Sequence, residues 1–505
     1  MTAILAGIAA VLAGIGLVEA LVVSRLVAAF ARPRFARPPS ARPLGGADPV
    51  VRPPVTVLKP LHGDEPLLEE ALTSVCRQDY PGFQIVFGVQ DAADPAIAVV
   101  RRLQARFPEL DIALVIDPTV HGRNRKVGNL INMMAAARHD VLVIADADVH
   151  VRPDYLDRLV AGLEVPGVGL VTTLYAGLPA PAAALGAGGA ADPAAGSAFG
   201  GIVDSGAGHA FGGMADLADA DPDAGDDPGA SATGRRWPGD PGYDLSAPLA
   251  PPLAATLGAT HITHGFLPGA VLARALGRRD CLGATMCLRR HDLQSIGGFQ
   301  SLVDHLADDN VLGRRIAGIG LTVALADTVS LTTVPETSLR ALFRHELRWA
   351  RTIRALEPAG FAASLVQYPL AWALLTIVLS SGALWSIGFF LIAWVLRAIA
   401  GLGVDNALSP LWTGESAGGG GRGDEDLAAL AFSCPIWLLP LRDVMSVAVM
   451  VASYGGRQVD WRGHGLHADT PPPSPQQTVT QPSVTQPSVT QPSVTRWPLQ
   501  GTNAR

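Results

Sequence analysis

Between residues 55 and 148 the chain alternates two patterns, and that alternation constrains its fold more than any other feature. VTVLKP (55–60), QIVFGVQD (84–91), DIALVID (111–117) and DVLVIADAD (140–148) are strand-length runs, apolar on both faces. The segments between them, EPLLEEALTSVCRQ (65–78), PAIAVVRRLQARF (95–107) and RKVGNLINMMAAAR (125–138), carry helical spacing. Strands without a polar face, alternating with helices, imply a parallel sheet covered on both sides. Ligands of such sheets bind beyond the carboxyl ends of the strands.

Carboxylates gather at those ends. Asp91 follows QIVFGVQ, and Asp146 and Asp148 follow LVIA. Aspartate is also a common turn former, so ADAD by itself fits an ordinary turn. Its place at the edge of a parallel sheet, beside Asp91, favours a site. No GxGxxG follows the first strand, where the text is KPLHGDEP, and there is no Walker A loop. What remains is a nucleotide held through a metal, with oxygen ligands that suit Mg²⁺ or Mn²⁺.

A second group lies further along. GATMCLRR (283–290) reads as a strand, and ADDNVLGRRIAGIG (307–320) as a helix opening on Asp308 and Asp309. Acids in a first turn also complement the helix dipole with no further role. SLRALFRHELRWARTIRAL (338–356) is a strongly basic helix. Its His345, Arg348 and Trp349 stand at i, i+3 and i+4 and share one face. The same helix suits the surface of an anionic membrane.

Residues 3–24 are long and apolar enough to cross a bilayer, with Glu19 near one end. They lack a small-residue cleavage site and read as an anchor. Arg25, Arg32, Arg34, Arg37, Arg42 and Arg52 follow, with Asp48 the single acid among them. That bias places the next segment in the cytoplasm. Further apolar runs lie at about 364–381, about 383–401 and 427–452. The first two suit a membrane hairpin. The third holds Pro435, Pro440, Arg442 and Asp443 and suits a broken or re-entrant span. Arg397, inside a run, is read as snorkelling.

Composition excludes some classes. The net charge is -7. Residues 180–252 carry ten aspartates, two arginines and no glutamate, so the rest of the chain is close to neutral. No basic bulk points to nucleic acid. The segment 178–255, rich in Ala, Gly, Pro and Asp, is expected to be a disordered insertion. GESAGGGGRGDED (414–426) reads as a flexible loop, and the QPSVT repeats near the end as a disordered tail over 465–505. The four cysteines show no CxxC spacing and read as reduced thiols, not a zinc site.

Together VTVLKPLHGDEP, VQDAADPAI, RKVGNLIN, IADADVHVRPDYL, HGFLPG, GATMCLRR, LADDNVLG and FRHELRWARTIR are specific in order and spacing. The chain resembles family 2-like inverting glycosyltransferases of the GT-A fold. More closely it resembles the ceramide glucosyltransferase group, and within it the bacterial hopanoid-biosynthesis glycosyltransferases. The resemblance implies an α/β, mostly parallel, Rossmann-like catalytic domain with transmembrane helices at both ends. It implies Asp91 on the nucleotide base, Asp146 and Asp148 as the DxD element, and Asp309 as general base. His345, Arg348 and Trp349 stand for the (Q/R)xxRW motif, with His345 a departure from it. Asp148 is expected to ligate the metal and Asp146 to orient the ribose or the metal shell. Lys126 and Asn129 are expected at the diphosphate or base, and Arg348 at phosphate.

The expected organisation is an anchor (1–27), a nucleotide-sugar half (51–177), the insertion (178–255), an acceptor half (256–360), C-terminal membrane segments (361–455) and the tail. The expected partners are a UDP-sugar, a lipid acceptor of the hopanoid class and the membrane. The expected location is the inner membrane, multi-pass, with the catalytic domain on the cytoplasmic side.

Overall fold

The strands are β1 (Val55–Pro60), β2 (Phe83–Val89), β3 (Asp111–Ile116), β4 (Val141–Ala145), β5 (Val149–His150), β6 (Val168–Pro179), β7 (Thr285–Arg289) and β8 (Thr322–Val334). They form one sheet in the order β3-β2-β1-β4-β7-β6-β8-β5. The computed structural model describes residues 1–32, 52–186, 250–413 and 422–456, with the backbone of two further strands, β9 (Gln458–Trp461) and β10 (His464–His467). Strands β1 to β4 run parallel, and β6 and β8 pair in parallel. Strand β7 is antiparallel to both β4 and β6, and β5 is antiparallel to β8. The expected mostly parallel α/β sheet is therefore present. It is a curled mixed sheet consistent with a GT-A glycosyltransferase fold.

Side-chain alternation explains why both faces had to be apolar. Val55, Val57, Ile85, Phe87 and Val143 bury in one core, and Leu58, Val86, Leu142 and Ile144 in the other. Helices Leu68–Cys76, Ala96–Arg106 and Arg125–Met133 fall inside the segments expected for them. Asn124 caps the last of these, accepting from the Val127 amide at 3.0 Å. Ser338 caps the basic helix Leu339–Leu356 in the same way at 3.2 Å.

Three boundaries differ from expectation. The segment 178–255 is ordered at both edges: Leu178 and Pro179 end β6, Ala182–Gly186 is helical, and Leu253 opens a helix to His261. Gly186 is the last described residue before the gap, and 187–249 lie outside the described residues. Arg422 to Asp426 begin a helix to Ala431, leaving 414–421 outside. Residues 465–467 pair with β9, and the QPSVT repeats lie outside.

Among the described residues three helices are long and apolar enough to cross a membrane: Thr2–Ala31, Leu384–Thr413 and Glu425–Ser453. The last is interrupted between Ala431 and Ile436. The run at 364–381 is not one straight helix but part of a bent pair, Pro358–Gln367 and Pro369–Leu379, that is long and apolar enough for a broken span or a re-entrant loop only when taken together. Pro369–Leu379 is an 11-residue helix, only ~16 Å long. It meets Pro358–Gln367 at a 67° bend. Pro369 forces that break, since Tyr368 before it is pushed out of helical geometry. The run at 383–401 is part of one 30-residue helix that continues to Thr413. In the first span Ala6, Ala9, Ala13 and Gly16 are buried at helical spacing, the small-residue face that lets membrane helices approach closely. Arg397 does not snorkel. It is 7% exposed and its Nη2 donates to the His264 carbonyl at 2.8 Å.

Candidate active site

Asp146 and Asp148 lie just past β4, fully buried at the carboxyl edge of the sheet. Lys126, one residue into its helix, reaches Asp146 Oδ1 at 2.5 Å. The Thr332 hydroxyl of β8 donates to Asp148 Oδ2 at 2.6 Å. Each aspartate thus has one oxygen engaged. Among the described residues Asp146 Oδ2 and Asp148 Oδ1 are buried and take no hydrogen bond. Two such buried carboxylate oxygens, from residues two apart in the chain, are the donor type of a hard divalent cation such as Mg²⁺ or Mn²⁺. Burial lifts the Asp146 carboxyl to about 7; Lys126 opposes the shift, and Asp148 and Asp308 add to it. Burial also raises Asp148, against its Thr332 bond and Lys59.

Three further groups complete this corner, and sequence reasoning did not assign them. Lys59, in β1, is fully buried and donates to the carbonyls of Asp146 and Val149 at 2.8 and 3.1 Å. It holds the DAD turn in shape, and burial lowers its ammonium to about 8 against the pull of Asp148 and Asp146. Glu65 is buried, and its carboxyl is pushed well above the usual range by burial and then by Asp148 and Asp146. Asp94 accepts from the Gly63 amide at 3.0 Å and the Ala96 amide at 2.9 Å, tying the loops after β1 and β2 together. A charged residue in an otherwise apolar strand was the available signal for Lys59. Glu65 and Asp94 carried none beyond belonging to KPLHGDEP and VQDAADP.

Asp91 is exposed beyond the end of β2, with Oδ1 on the Ala93 amide at 2.9 Å. Its position suits a ligand arriving from solvent. Asn129 faces inward instead. Its Nδ2 donates to the Gly88 carbonyl at 2.7 Å, so that end of the side chain holds the helix against β2.

The second half of the chain closes over the same edge. Asn124 Nδ2 donates to the His305 carbonyl and to Asp308 Oδ1, at 2.9 and 3.2 Å. That contact draws the first turn of the helix Asp308–Gly318 towards Lys126. Asp309 is half-buried, with Oδ1 on the Asn310 amide at 2.7 Å. Burial and then Asp308 raise its carboxyl to about 6, while Lys126 opposes. Burial raises the Tyr175 hydroxyl, and Asp309, Asp146 and Asp148 raise it further, so all three carboxylates act on one ring.

The basic helix supplies the remaining wall. His345, Trp349, Glu336, Tyr175, Thr332 and Asp148 line one small cavity of about 30 Å³. The His345 ring meets Trp349 edge-on at 4.7 Å. Its Nδ1 is paired with Glu336 Oε1, and its Nε2 is buried without a hydrogen bond. Burial holds Arg348 down at about 10, opposed by Glu336. Glu336 in turn sits below the usual carboxylate range, because His345 and Arg348 outweigh its burial. Sequence reasoning missed Glu336, which ends up beside His345 only because β8 delivers it there. The DxD aspartates, Lys126, Asp309 and the HELRW face are thereby brought to one end of the sheet.

The chain is similar in sequence to known proteins. Over 113 residues the chain is 35% identical to a ceramide glucosyltransferase of Komagataella phaffii, 22% of each chain. Over 107 residues it is 33% identical to ceramide glucosyltransferase 1 of Caenorhabditis elegans. These matches span about a fifth of the length of those curated relatives. Among solved structures, a mannosyltransferase of Pyrobaculum calidifontis, in complex with GDP-Man and Mn²⁺, aligns with 89% of this chain and 99% of its own. Its TM-score is 0.43 at 18% identity. The model of "Glycosyl transferase family 21" matches residues 11–187 and 249–472, most of the chain. The chain belongs to glycosyl transferase family 21.

Proposed function

We propose that this chain is an inverting membrane glycosyltransferase that moves one sugar from a UDP-sugar to a hydroxyl of a lipid. The observation that carries it is the open oxygen on each of Asp146 and Asp148, in a site that also gathers Lys126, Asp309 and the His345–Trp349 face. In the displacement, the acceptor oxygen bonds to the anomeric carbon as the bond from that carbon to the diphosphate oxygen breaks. The electron pair leaves with UDP, and the acceptor proton passes to Asp309. Asp148 and Asp146 would hold a divalent ion, which would supply charge neutralisation at the departing diphosphate. Lys126 adds a fixed positive charge beside it, and Asp91 reaches the base. Trp349 offers an apolar face to sugar or acceptor. Arg348 is assigned to the donor phosphate, which a guanidinium pairs in a forked geometry.

The donor and acceptor that fit the sequence motifs best are UDP-N-acetylglucosamine and bacteriohopanetetrol. The arginines after the first span favour a catalytic domain on the cytoplasmic face of the inner membrane. A second reading, glucosyl transfer from UDP-glucose to ceramide, is favoured by the curated relatives. Detergent-purified protein, supplied in turn with each donor and acceptor and with Mn²⁺ or Mg²⁺, decides between them by mass spectrometry of the lipid. A hexosaminyl-hopanoid of inverted anomeric configuration is expected. A hexosyl-ceramide product selects the second reading. Retention of configuration, or full turnover in chelator, overturns the mechanism.

A further inference from the structure

Away from the donor site, three metal-binding side chains from distant parts of the sequence meet beside the membrane segments. His264 lies in a π-helical turn, Ile262–Phe266, inside the helix run that crosses under β6. Asp405 lies in the helix Leu384–Thr413, and Cys434 lies in the break before the last helix. One ligand atom from each falls within 4.8 Å of the other two.

The cluster is poorly served by hydrogen bonds alone. His264 Nε2 is 3.4 Å from Asp405 Oδ1, yet neither that oxygen nor His264 Nδ1 makes a hydrogen bond. Asp405 Oδ2 accepts from the Cys434 amide at 2.7 Å, which fixes the carboxylate and brings the thiol over it. The space is kept clear by Gly401, one helical turn before Asp405. A Cβ there would stand 2.7 Å from Cys434 Sγ and 3.8 Å from His264 Nδ1. A carboxylate in an apolar helix, facing protein and not lipid, marks a functional position in such segments.

We propose that His264, Asp405 and Cys434 form a second metal site, distinct from the DxD pair, that takes Zn²⁺ or another borderline divalent ion. Imidazole, thiolate and carboxylate are the donor set of zinc, whereas the DxD pair offers only oxygen. Tetrahedral bonds of about 2.0–2.3 Å put ligand atoms within about 3.3–3.8 Å of each other, a contraction of roughly 1 Å that side-chain rotation supplies. With one thiolate, one carboxylate and a neutral imidazole, a divalent ion leaves the cluster uncharged, as a low-dielectric interior requires. Arg397 contacts the His264 carbonyl and not its ring, so it leaves the ligand atoms available. The ion would staple the last two membrane segments to the helix that backs the catalytic cavity.

The test uses the whole protein in detergent and does not read activity. Cys76, Cys281 and Cys287 are buried, whereas Cys434 is only half-buried, so native alkylation reports on Cys434. Equimolar Zn²⁺, added after chelator treatment, is expected to slow labelling of Cys434 at least tenfold by peptide mass mapping. Mg²⁺ and Mn²⁺ are expected to have no effect. Co²⁺ is expected to give a thiolate charge-transfer band of one equivalent, lost in Cys434→Ser and kept in Asp148→Asn. Labelling indifferent to Zn²⁺ overturns the site, as does a cobalt band that survives in Cys434→Ser. If Cys434→Ser fails to fold, the protection experiment on the unaltered protein still decides.

Discussion

Each aspartate of the DAD turn has one oxygen held by the protein and one left open, and the two holders differ. Thr332 is neutral, so Asp148 keeps its full charge for a cation, whereas Lys126 already neutralises Asp146. Asp148→Asn is therefore expected to weaken Mn²⁺ binding more than Asp146→Asn, by at least tenfold in a calorimetric titration. Equal losses would make Asp146 an equal ligand. Asp309 carries a second residue-scale expectation. Its carboxyl rises from an ordinary 3.8 to about 6, through burial first and Asp308 second. A base must be unprotonated, so kcat/KM should fall about tenfold per pH unit below about 6. Asp309→Asn should lose about 10²–10⁴ in kcat, with little change in UDP affinity. Stability runs the other way. The folded state holds this proton more tightly than the unfolded chain, so its contribution is complete below 3.8 and is lost as pH rises through about 6. Thermal melts should show Asp309→Asn gaining on the parent protein between about pH 4 and 6; an unchanged difference would mean the carboxyl titrates normally. Of these residues, Asp146 and Asp148 were legible because strand patterning placed them at a sheet edge, whereas the role of Asp309 came from the resemblance alone. Glu65 was not, because its importance lies in burial beside those aspartates, which no local pattern encodes; for Lys59 the one signal was a charge inside an apolar strand.

At the scale of elements, the basic helix shows why motif spacing is only half of a site. The i, i+3, i+4 pattern identifies the face of His345, Arg348 and Trp349, but position depends on what clamps the opposite side. Glu346 is 4% exposed and receives two hydrogen bonds of 2.7 Å from Arg442 of the helix Leu439–Ser453. Arg442 also bonds Ser446 and the Leu257 carbonyl, so one guanidinium links three helices. Glu346→Ala leaves that cation buried and unpaired, at a cost of about 3–5 kcal/mol. Its melting midpoint should fall well below that of Arg344→Ala, an exposed change on the same helix. Restoring an apolar pair with Glu346→Leu and Arg442→Met should recover most of the loss. A drop no larger than that of Arg344→Ala would show the clamp to be dispensable. The strands that position this helix were the least legible elements. β6 and β8 are 12 and 13 residues long and pair in parallel, but they are separated in sequence by the long segment after Pro179. Their threonines and serine blunt the apolar signal; Thr172, Thr173, Thr328, Ser330 and Thr332 are nonetheless buried, and Thr172, Thr173, Ser330 and Thr332 bond other buried groups. The antiparallel direction of β7 was likewise invisible, since strand direction is set by partners and not by local pattern.

For the whole molecule, the question is how a chain can carry an acidic segment between two halves of one site. β6 leaves the sheet at Pro179, and the helix opening at Leu253 returns beneath the same strand, where Gly177 admits the Ala259 backbone. A Cβ on Gly177 would stand 2.5 Å from the Ala259 Cα, so this return is a built contact and not a loose reconnection. The two sides of the segment are therefore held by the sheet itself. The family model shows the same division, matching up to residue 187 and resuming at 249. Asp148, Asp309 and His345 each make hydrogen bonds to partners inside the matched regions. Replacing 190–247 with a short Gly/Ser linker should leave sugar transfer within about threefold of the parent and the melting midpoint within about 2 °C, in keeping with the small entropic dependence of loop closure on length. Gly177→Ala, by contrast, should lower the midpoint clearly, since overpacking against backbone costs about 1–3 kcal/mol. Those two variants separate the segment from its anchor. A linker variant that folds with the parent midpoint yet transfers no sugar would show that 190–247 contribute to the site, and the acceptor half would then have to be drawn to include them.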